Sequence, residues 1–177
     1  MDFKQMLGAA ALATAALGGC APAPAVQGKD PHAMQLLAAG AATCHATTSQ
    51  QNAVAVAATN RTRAASGLPP VWADDRLAQA AAGHACDMAR RGRMTHVGST
   101  THGPAPRLKA MGYAPSVTAE NIAAGHFDLN RVLHEWNVST GHHANIVIPQ
   151  MRHMGIGEAV GADGKTRFWA AVYAAPR

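Results

Sequence analysis

Apolar positions recur at helical spacing over two long stretches of the first half of the chain. Ser49 to Ser66 reads as a helix that Ser49 can cap and Gly67 can end, with Pro69 and Pro70 blocking its continuation. Val54, Ala57, Ala58 and Arg61 fall near one face of it. Asp74 to Arg91 reads as a second helix, capped by Asp74 and stopped by Gly92. Leu77, Ala81, His84 and Met88 follow at i, i+4, i+7 and i+11, an apolar stripe broken by one histidine that reads as a core residue. Residues 95–106 are rich in Thr, Ser, Gly and Pro and read as loop; Pro106 to Met111 then makes a short helix ended by Gly112. Val117 to Ala123 reads as a strand ending at Gly125. Asp128 caps a helix to Trp136, whose apolar face is Leu129, Val132, Leu133 and Trp136, so Trp136 is expected to anchor the core. Gly141 to Val147 is a turn leading into another short helix limited by Pro149.

The period changes near the C-terminus. Met154 to Val160 and Thr166 to Ala174 are strand candidates, and Gly161-Ala162-Asp163-Gly164 between them has hairpin chemistry, because Asp-Gly tolerates positive φ. Helices followed by a closing hairpin point to a small antiparallel sheet covered by helices, an α+β domain. Residues 36–47 are small and apolar and suggest a partly ordered helix.

The N-terminus divides differently. Residues 1–20 read as a targeting segment: Lys4 in a short polar start, then an apolar run from Met6 to Leu17. That run is shorter than the about 20 apolar residues a bilayer span needs. Leu17-Gly18-Gly19-Cys20 resembles a bacterial lipobox, in which small side chains admit a signal peptidase and the Cys20 thiol takes the diacylglycerol. A plain secretory signal cleaved within Ala21-Pro22-Ala23-Pro24-Ala25 is the alternative. Lipidation implies a membrane partner through Cys20 and a place in the cell envelope; Ala21 after the cysteine favours the outer membrane of a Gram-negative cell. Residues 21–47 then form a tether and N-terminal extension, and 48–177 the domain. With Cys20 lipidated, Cys44 and Cys86 remain, and in an oxidising compartment they suggest one disulfide, two reduced thiols being the alternative.

About 157 residues follow Cys20, enough for one domain with a real core. The formal charge is +5 and the pI about 9.6. The only basic cluster, Arg90-Arg91-Gly92-Arg93, closes a helix, where cations complement the dipole. Aromatic residues are few and not interleaved with basic ones, which excludes a nucleic-acid platform.

Three segments carry chemistry: Thr95-His96, Ala119-Glu120-Asn121, and Glu135-Trp136-Asn137-Val138-Ser139-Thr140-Gly141-His142-His143-Ala144-Asn145-Ile146. The chain has 3 glutamates, and two of them, Glu120 and Glu135, fall in these segments. A fold that gathered His96, Glu120 and His142 would have the groups to hold a divalent cation or move a proton. These segments, in order with Asn60-Arg61-Thr62-Arg63, Gly67-Leu68-Pro69-Pro70-Val71, Met154-Gly155-Ile156-Gly157 and Trp169-Ala170-Ala171-Val172-Tyr173, resemble the CAP superfamily of cysteine-rich secretory proteins, antigen 5 and pathogenesis-related proteins, in its bacterial form. The resemblance covers about residues 50–175.

It implies an α/β/α sandwich, the CAP/SCP fold, and a cleft holding two histidines and two acids. His96 and His142 take the histidine positions and Glu120 the first acid; Ser139 stands where the second acid is usual. Serine is a poor metal ligand, and Glu135 belongs to a different side of its helix. Zn2+ or another divalent cation on His96, His142 and Glu120 would bind less tightly below about pH 6, where imidazole protonates. The alternative is a metal-free cleft in which these three hydrogen-bond one another. His102 and His143 are expected to be exposed. Ser139 and His142 are spaced to meet on one helical turn, but no Gly-x-Ser-x-Gly nucleophile elbow occurs. Three functions follow as expectations. The first is an envelope lipoprotein, non-enzymatic, whose cleft takes a small lipophilic ligand or a divalent cation. The second is a metal-dependent hydrolase with Glu120 as base. The third is an envelope interaction module with a protein partner.

Overall fold

A computed structural model describes residues 30–177; the targeting segment, Cys20 and the first part of the tether lie outside the described residues. In chain order the elements are β1 (Met34–Gln35), β2 (Thr43–Cys44), α1 (Ser49–Ala65), β3 (Trp72–Ala73), α2 (Asp75–Arg91), β4 (Arg93–Met94), α3 (Pro104–Ala110), β5 (Pro115–Gly125), α4 (Leu129–Val138), α5 (Thr140–Ile146), β6 (His153–Val160) and β7 (Arg167–Pro176). The main sheet runs β2-β6-β7-β5, and β3 pairs in parallel with the start of β6. Among the described residues no helix is long and apolar enough to cross a membrane.

The central strand explains the layering. β7 is buried from Phe168 to Ala175, and its residues alternate between two cores. Phe168, Ala170, Val172 and Ala174 meet Leu77, Ala81, Ala85 and Met88 of α2. Trp169, Ala171 and Tyr173 share the opposite core with Ala55 of α1 and with Val132 and Trp136 of α4. Side chains of a strand alternate between faces, so one apolar strand supplies both layers of the α/β/α sandwich. Trp136 is 1% exposed, the core anchor its spacing predicts.

α2 lies directly on β6. A Cβ built on Gly155 would fall 2.1 Å from the Ala78 amide nitrogen, and one on Gly157 2.1 Å from that of Ala82. The alanine-rich face of α2 and these two glycines let the backbones touch. Gly157→Ala must push the helix off the sheet. We expect a loss of about 3 kcal/mol, as for strongly overpacked cores, read as a lowered urea midpoint with an unchanged slope. An unaltered midpoint would show that this contact is not tight.

Four expectations need correction. First, α1 is capped by Thr48, not Ser49: the Thr48 side chain accepts from the Gln51 amide and Gln51 reaches back. Second, α1 buries Asn52, Ala55, Thr59 and Arg63, not the face of Val54, Ala57, Ala58 and Arg61. The buried face is polar because distant backbone groups satisfy it: Asn52 Oδ1 accepts from the Ile156 amide at 3.3 Å. Third, residues 36–47 form no helix. The amides of Leu36 and Leu37 donate to the Gly92 carbonyl and that of Gly40 to Arg90, using carbonyls that the end of α2 leaves free. Further on, Thr43 and Cys44 pair with Val160 and Ala159 at the sheet edge. From Asp30 onward the expected tether and extension therefore lie against the domain. Fourth, α3 begins two residues earlier than expected, at Pro104.

A Cys44–Cys86 disulfide closes a 42-residue separation and fastens the extension to α2. A loop of that length is stabilised by about 3–4 kcal/mol when cross-linked.

Candidate functional site

Glu120 sits on β5 opposite Val172, on the face that α2 covers. Its carboxylate is 1% exposed and fully engaged. His96 Nδ1 lies 2.9 Å from Oε1, Arg107 Nη2 donates to Oε2 at 2.5 Å, and His84 Nε2 stands 3.6 Å from Oε1. Burial alone would raise the Glu120 pKa, but the His96 hydrogen bond and the charges of His84 and Arg107 outweigh it and hold the carboxyl below its ordinary range.

His84 is the residue that the stripe of α2 places in the core. It is buried there, yet it belongs to the site. Its Nε2 is 2.8 Å from the Thr95 carbonyl, so that nitrogen carries the proton and donates. Burial pushes its pKa down to about 4, against the opposing pull of Glu120. The contact with Glu120 is therefore not an ion pair at neutral pH. Between about pH 6.5 and 4 the unfolded chain binds a proton at His84 that the folded chain refuses, so stability falls on acidification through that window. The full shift corresponds to about 3 kcal/mol. His84→Gln, which keeps a donor for the Thr95 carbonyl, is expected to flatten the denaturation midpoint across that window. An equally steep profile in the variant would assign the pH dependence elsewhere.

His96 follows β4 on a loop fixed by the extension. Asp30 accepts from Thr95 Oγ1 at 2.7 Å and from the His96 amide at 2.6 Å. Two residues on, the His32 ring stands edge-on to that of His96 with centroids 6.4 Å apart. His142 sits on α5, with Nδ1 3.0 Å from Ser139 Oγ. Burial first, then the charges of His96 and His32, lowers its pKa. The side chains of Asn121 and Asn145 tie α5 to β5: Asn121 Nδ2 donates to the His142 carbonyl at 3.1 Å, and Asn145 Nδ2 to Asn121 Oδ1 at 2.9 Å.

His96, Glu120, Ser139 and His142 line one cleft of about 740 Å3. Met34, Met94, Ile122, Phe127 and Trp136 form its apolar walls. Glu135 also lines it, although helix sidedness argued against this, and pairs with Arg131 at 2.6 Å. His102 is exposed; His143, expected to be exposed, is half-buried with Nδ1 3.1 Å from the Asn137 carbonyl. A second hollow, of about 500 Å3, lies between α1 and α4 and contains none of His96, Glu120, Ser139 and His142.

The donor set does not form the expected three-ligand shell. Among the described residues no three His, Cys, Asp or Glu side chains stand together as a metal site. Both Glu120 oxygens hold protein donors, so the carboxylate orients His96 instead of facing a cation. Of the hydrogen bonds expected among the three groups, the one between His96 and Glu120 is present; His142 bonds Ser139 instead. His84, Arg107, Asp30 and His32 are not assigned to the site by sequence. The break in the α2 stripe is a signal for His84; the other three have no local signal.

The family of cysteine-rich secretory proteins (CAP) matches residues 56–173. The chain belongs to this family. A curated relative, the uncharacterized protein YkwD of Bacillus subtilis, is 32% identical over 99 residues, which is 56% of this chain and 38% of YkwD. An extracellular protein of Bacillus anthracis containing an SCP domain superposes with a TM-score of 0.63 at 27% identity, covering 71% of this chain and 40% of that one. An outer surface protein of Borrelia burgdorferi superposes with a TM-score of 0.66 at 19% identity, over 76% of this chain and 100% of that one. The chain thus spans well under half of the two Bacillus proteins. The α+β CAP fold expected from the motifs is the fold observed.

Proposed function

We propose that this CAP domain is an extracytoplasmic binding module, held at the cell envelope by lipid on Cys20, whose cleft receives a small lipophilic molecule with one polar group. The saturated Glu120 carboxylate carries this reading. Its charge is spent on His96 and Arg107, so it serves neither as base nor as metal ligand. What it creates is a fixed imidazole: with Nδ1 tied down, His96 has Nε2 for a ligand's polar group, at one end of a cleft whose walls are Met34, Met94, Ile122, Phe127 and Trp136. The extracellular and surface relatives, together with the lipobox, support the location.

A second reading keeps a divalent cation. His142 also has Nδ1 engaged, by Ser139, so the donors left for a cation are the two Nε2 atoms of His96 and His142. A cation there would act as a Lewis acid or bridge to an anionic ligand.

Native mass spectrometry and elemental analysis of the protein taken from its own cell envelope separate the two. The first reading expects a retained apolar molecule that disappears in Ser139→Phe, which adds bulk to the cleft lining, in a variant that still unfolds cooperatively. Stoichiometric zinc, with calorimetric heat lost in His142→Ala, would favour the second. An empty cleft in both proteins would sink the first.

A further inference from the structure

Four large apolar side chains remain exposed among the described residues: Met34 at 53%, Leu36 at 37%, Val138 at 61% and Trp72 at 65%. Three of the four belong to chain segments that line the cleft. Met34 lines it, Leu36 follows two residues later in the same extended run, and Val138 immediately precedes Ser139 on its wall. Trp72 is elsewhere, on the strand that pairs with β6, whereas the cleft belongs to β5 at the other edge of the sheet. A small domain seldom leaves apolar side chains clustered at one mouth unless something covers them.

The path of the chain says what does. The described chain joins the domain at the cleft itself, where Asp30 bonds Thr95 and His96. Cys20 is ten positions earlier. Fully extended, that is at most about 36 Å, and a flexible segment of this length averages about 17 Å end to end. A domain of roughly 150 residues is about 38 Å across. The anchor is therefore too short for the face opposite the cleft to lie on the bilayer in most arrangements. The exposed Arg93 pairs with Gln35, which stands between Met34 and Leu36 in the extended run. Apolar side chains beside an arginine suit a bilayer surface containing anionic phospholipid.

We propose that Met34, Leu36 and Val138 form the face this protein lays on the phospholipid bilayer that carries its anchor, so that the cleft opens toward the membrane. The inference rests on the lipid-anchored reading above. The lipid on Cys20 supplies the attachment; the rim supplies the orientation. A lipophilic ligand would then pass between bilayer and cleft without crossing water.

The test uses the chain from Cys20 onward with Cys44 and Cys86 paired, so that Cys20 is the single free thiol. It is coupled to a maleimide-bearing phospholipid in vesicles of phosphatidylethanolamine and phosphatidylglycerol, and hydroxyl-radical footprinting compares it with the uncoupled chain free of vesicles. Met34 and Val138 are expected to react at least threefold more slowly on vesicles, with Trp72 unchanged. Leu36→Asp/Val138→Asp, both at exposed positions, is expected to restore the Met34 rate. Equal protection of Met34 and Trp72, no protection of either, or an unaffected Met34 rate in the double variant would overturn the proposal. The mass of the chain from its own envelope reports separately on the anchor. No diacylglycerol on Cys20 would remove the anchored reading and the membrane orientation with it, whatever the coupled chain did.

Discussion

Arg63→Met is expected to cost at least about 4 kcal/mol, a large part of the 5–15 kcal/mol that holds a typical domain together. Arg63 is 0% exposed and has no carboxylate partner among the described residues. Its guanidinium donates instead to four backbone carbonyls: Pro69 at 2.8 Å, Ile146 and Ile148 at 2.9 Å, and Met151 at 3.3 Å. Burial, and then the charge of Arg152, lowers its pKa, a sign that the site stands on hydrogen bonds and not on ion pairing. Methionine fills much of the volume but removes the Arg63 donor from all four carbonyls; that of Ile148 keeps the Met151 amide and that of Met151 keeps Arg152 Nη1, so the loss falls mainly on Pro69 and Ile146. Each buried polar group so orphaned costs about 1–3 kcal/mol. Arg63→Lys is not expected to rescue, because an ammonium point charge cannot span the four positions of the planar fork. Urea denaturation followed by tryptophan fluorescence checks this. A lysine variant as stable as wild type would show that charge, not fork geometry, is what the site needs.

The second large effect is at Glu120. Glu120→Gln is nearly isosteric, yet it leaves the Arg107 guanidinium, itself 9% exposed, without its counter-charge. Breaking a buried pair from one side costs about 3–5 kcal/mol. The double variant Glu120→Gln/Arg107→Met removes the stranded charge and is expected to recover part of that loss. Recovery separates an uncompensated charge from simple loss of packing; a double variant worse than the sum of its parts would reject the account. The same carboxylate gives a pH prediction with a definite sign. Its folded pKa lies below the unfolded value, so its stabilisation is present above about pH 4.5 and is lost as pH falls through the folded value. Acid should therefore act in two stages, first through His84 and then through Glu120.

These two residues show how far the chain could be read without coordinates. Helix ends were legible where one or two neighbours decide them. Asp74 and Asp128 cap α2 and α4 as expected, and Gly92 stops α2 in the left-handed conformation. The hairpin between β6 and β7 was legible for the same reason, with Gly164 at φ 68°. The α1 face was not legible. A pattern rule assumes that apolar residues go inside, but Asn52 and Arg63 are buried by bonds to groups 104 and up to 88 residues away. The extension was misread similarly, since its partners are carbonyls at the end of α2 and an edge of β6.

Sequence alone determined the family, the order of its elements and the residue types around the cleft, because caps, turns and strand alternation act over a few positions and survive in the linear text. Tertiary structure alone decided what those residues are to one another. It brought Arg107 and His84 onto Glu120, turning an expected ligand or base into a neutralised support for His96. It also brought Asp30 and His32 against His96. Charge compensation and burial depend on distances between segments that lie far apart along the chain, and those distances exist only once the sheet has formed.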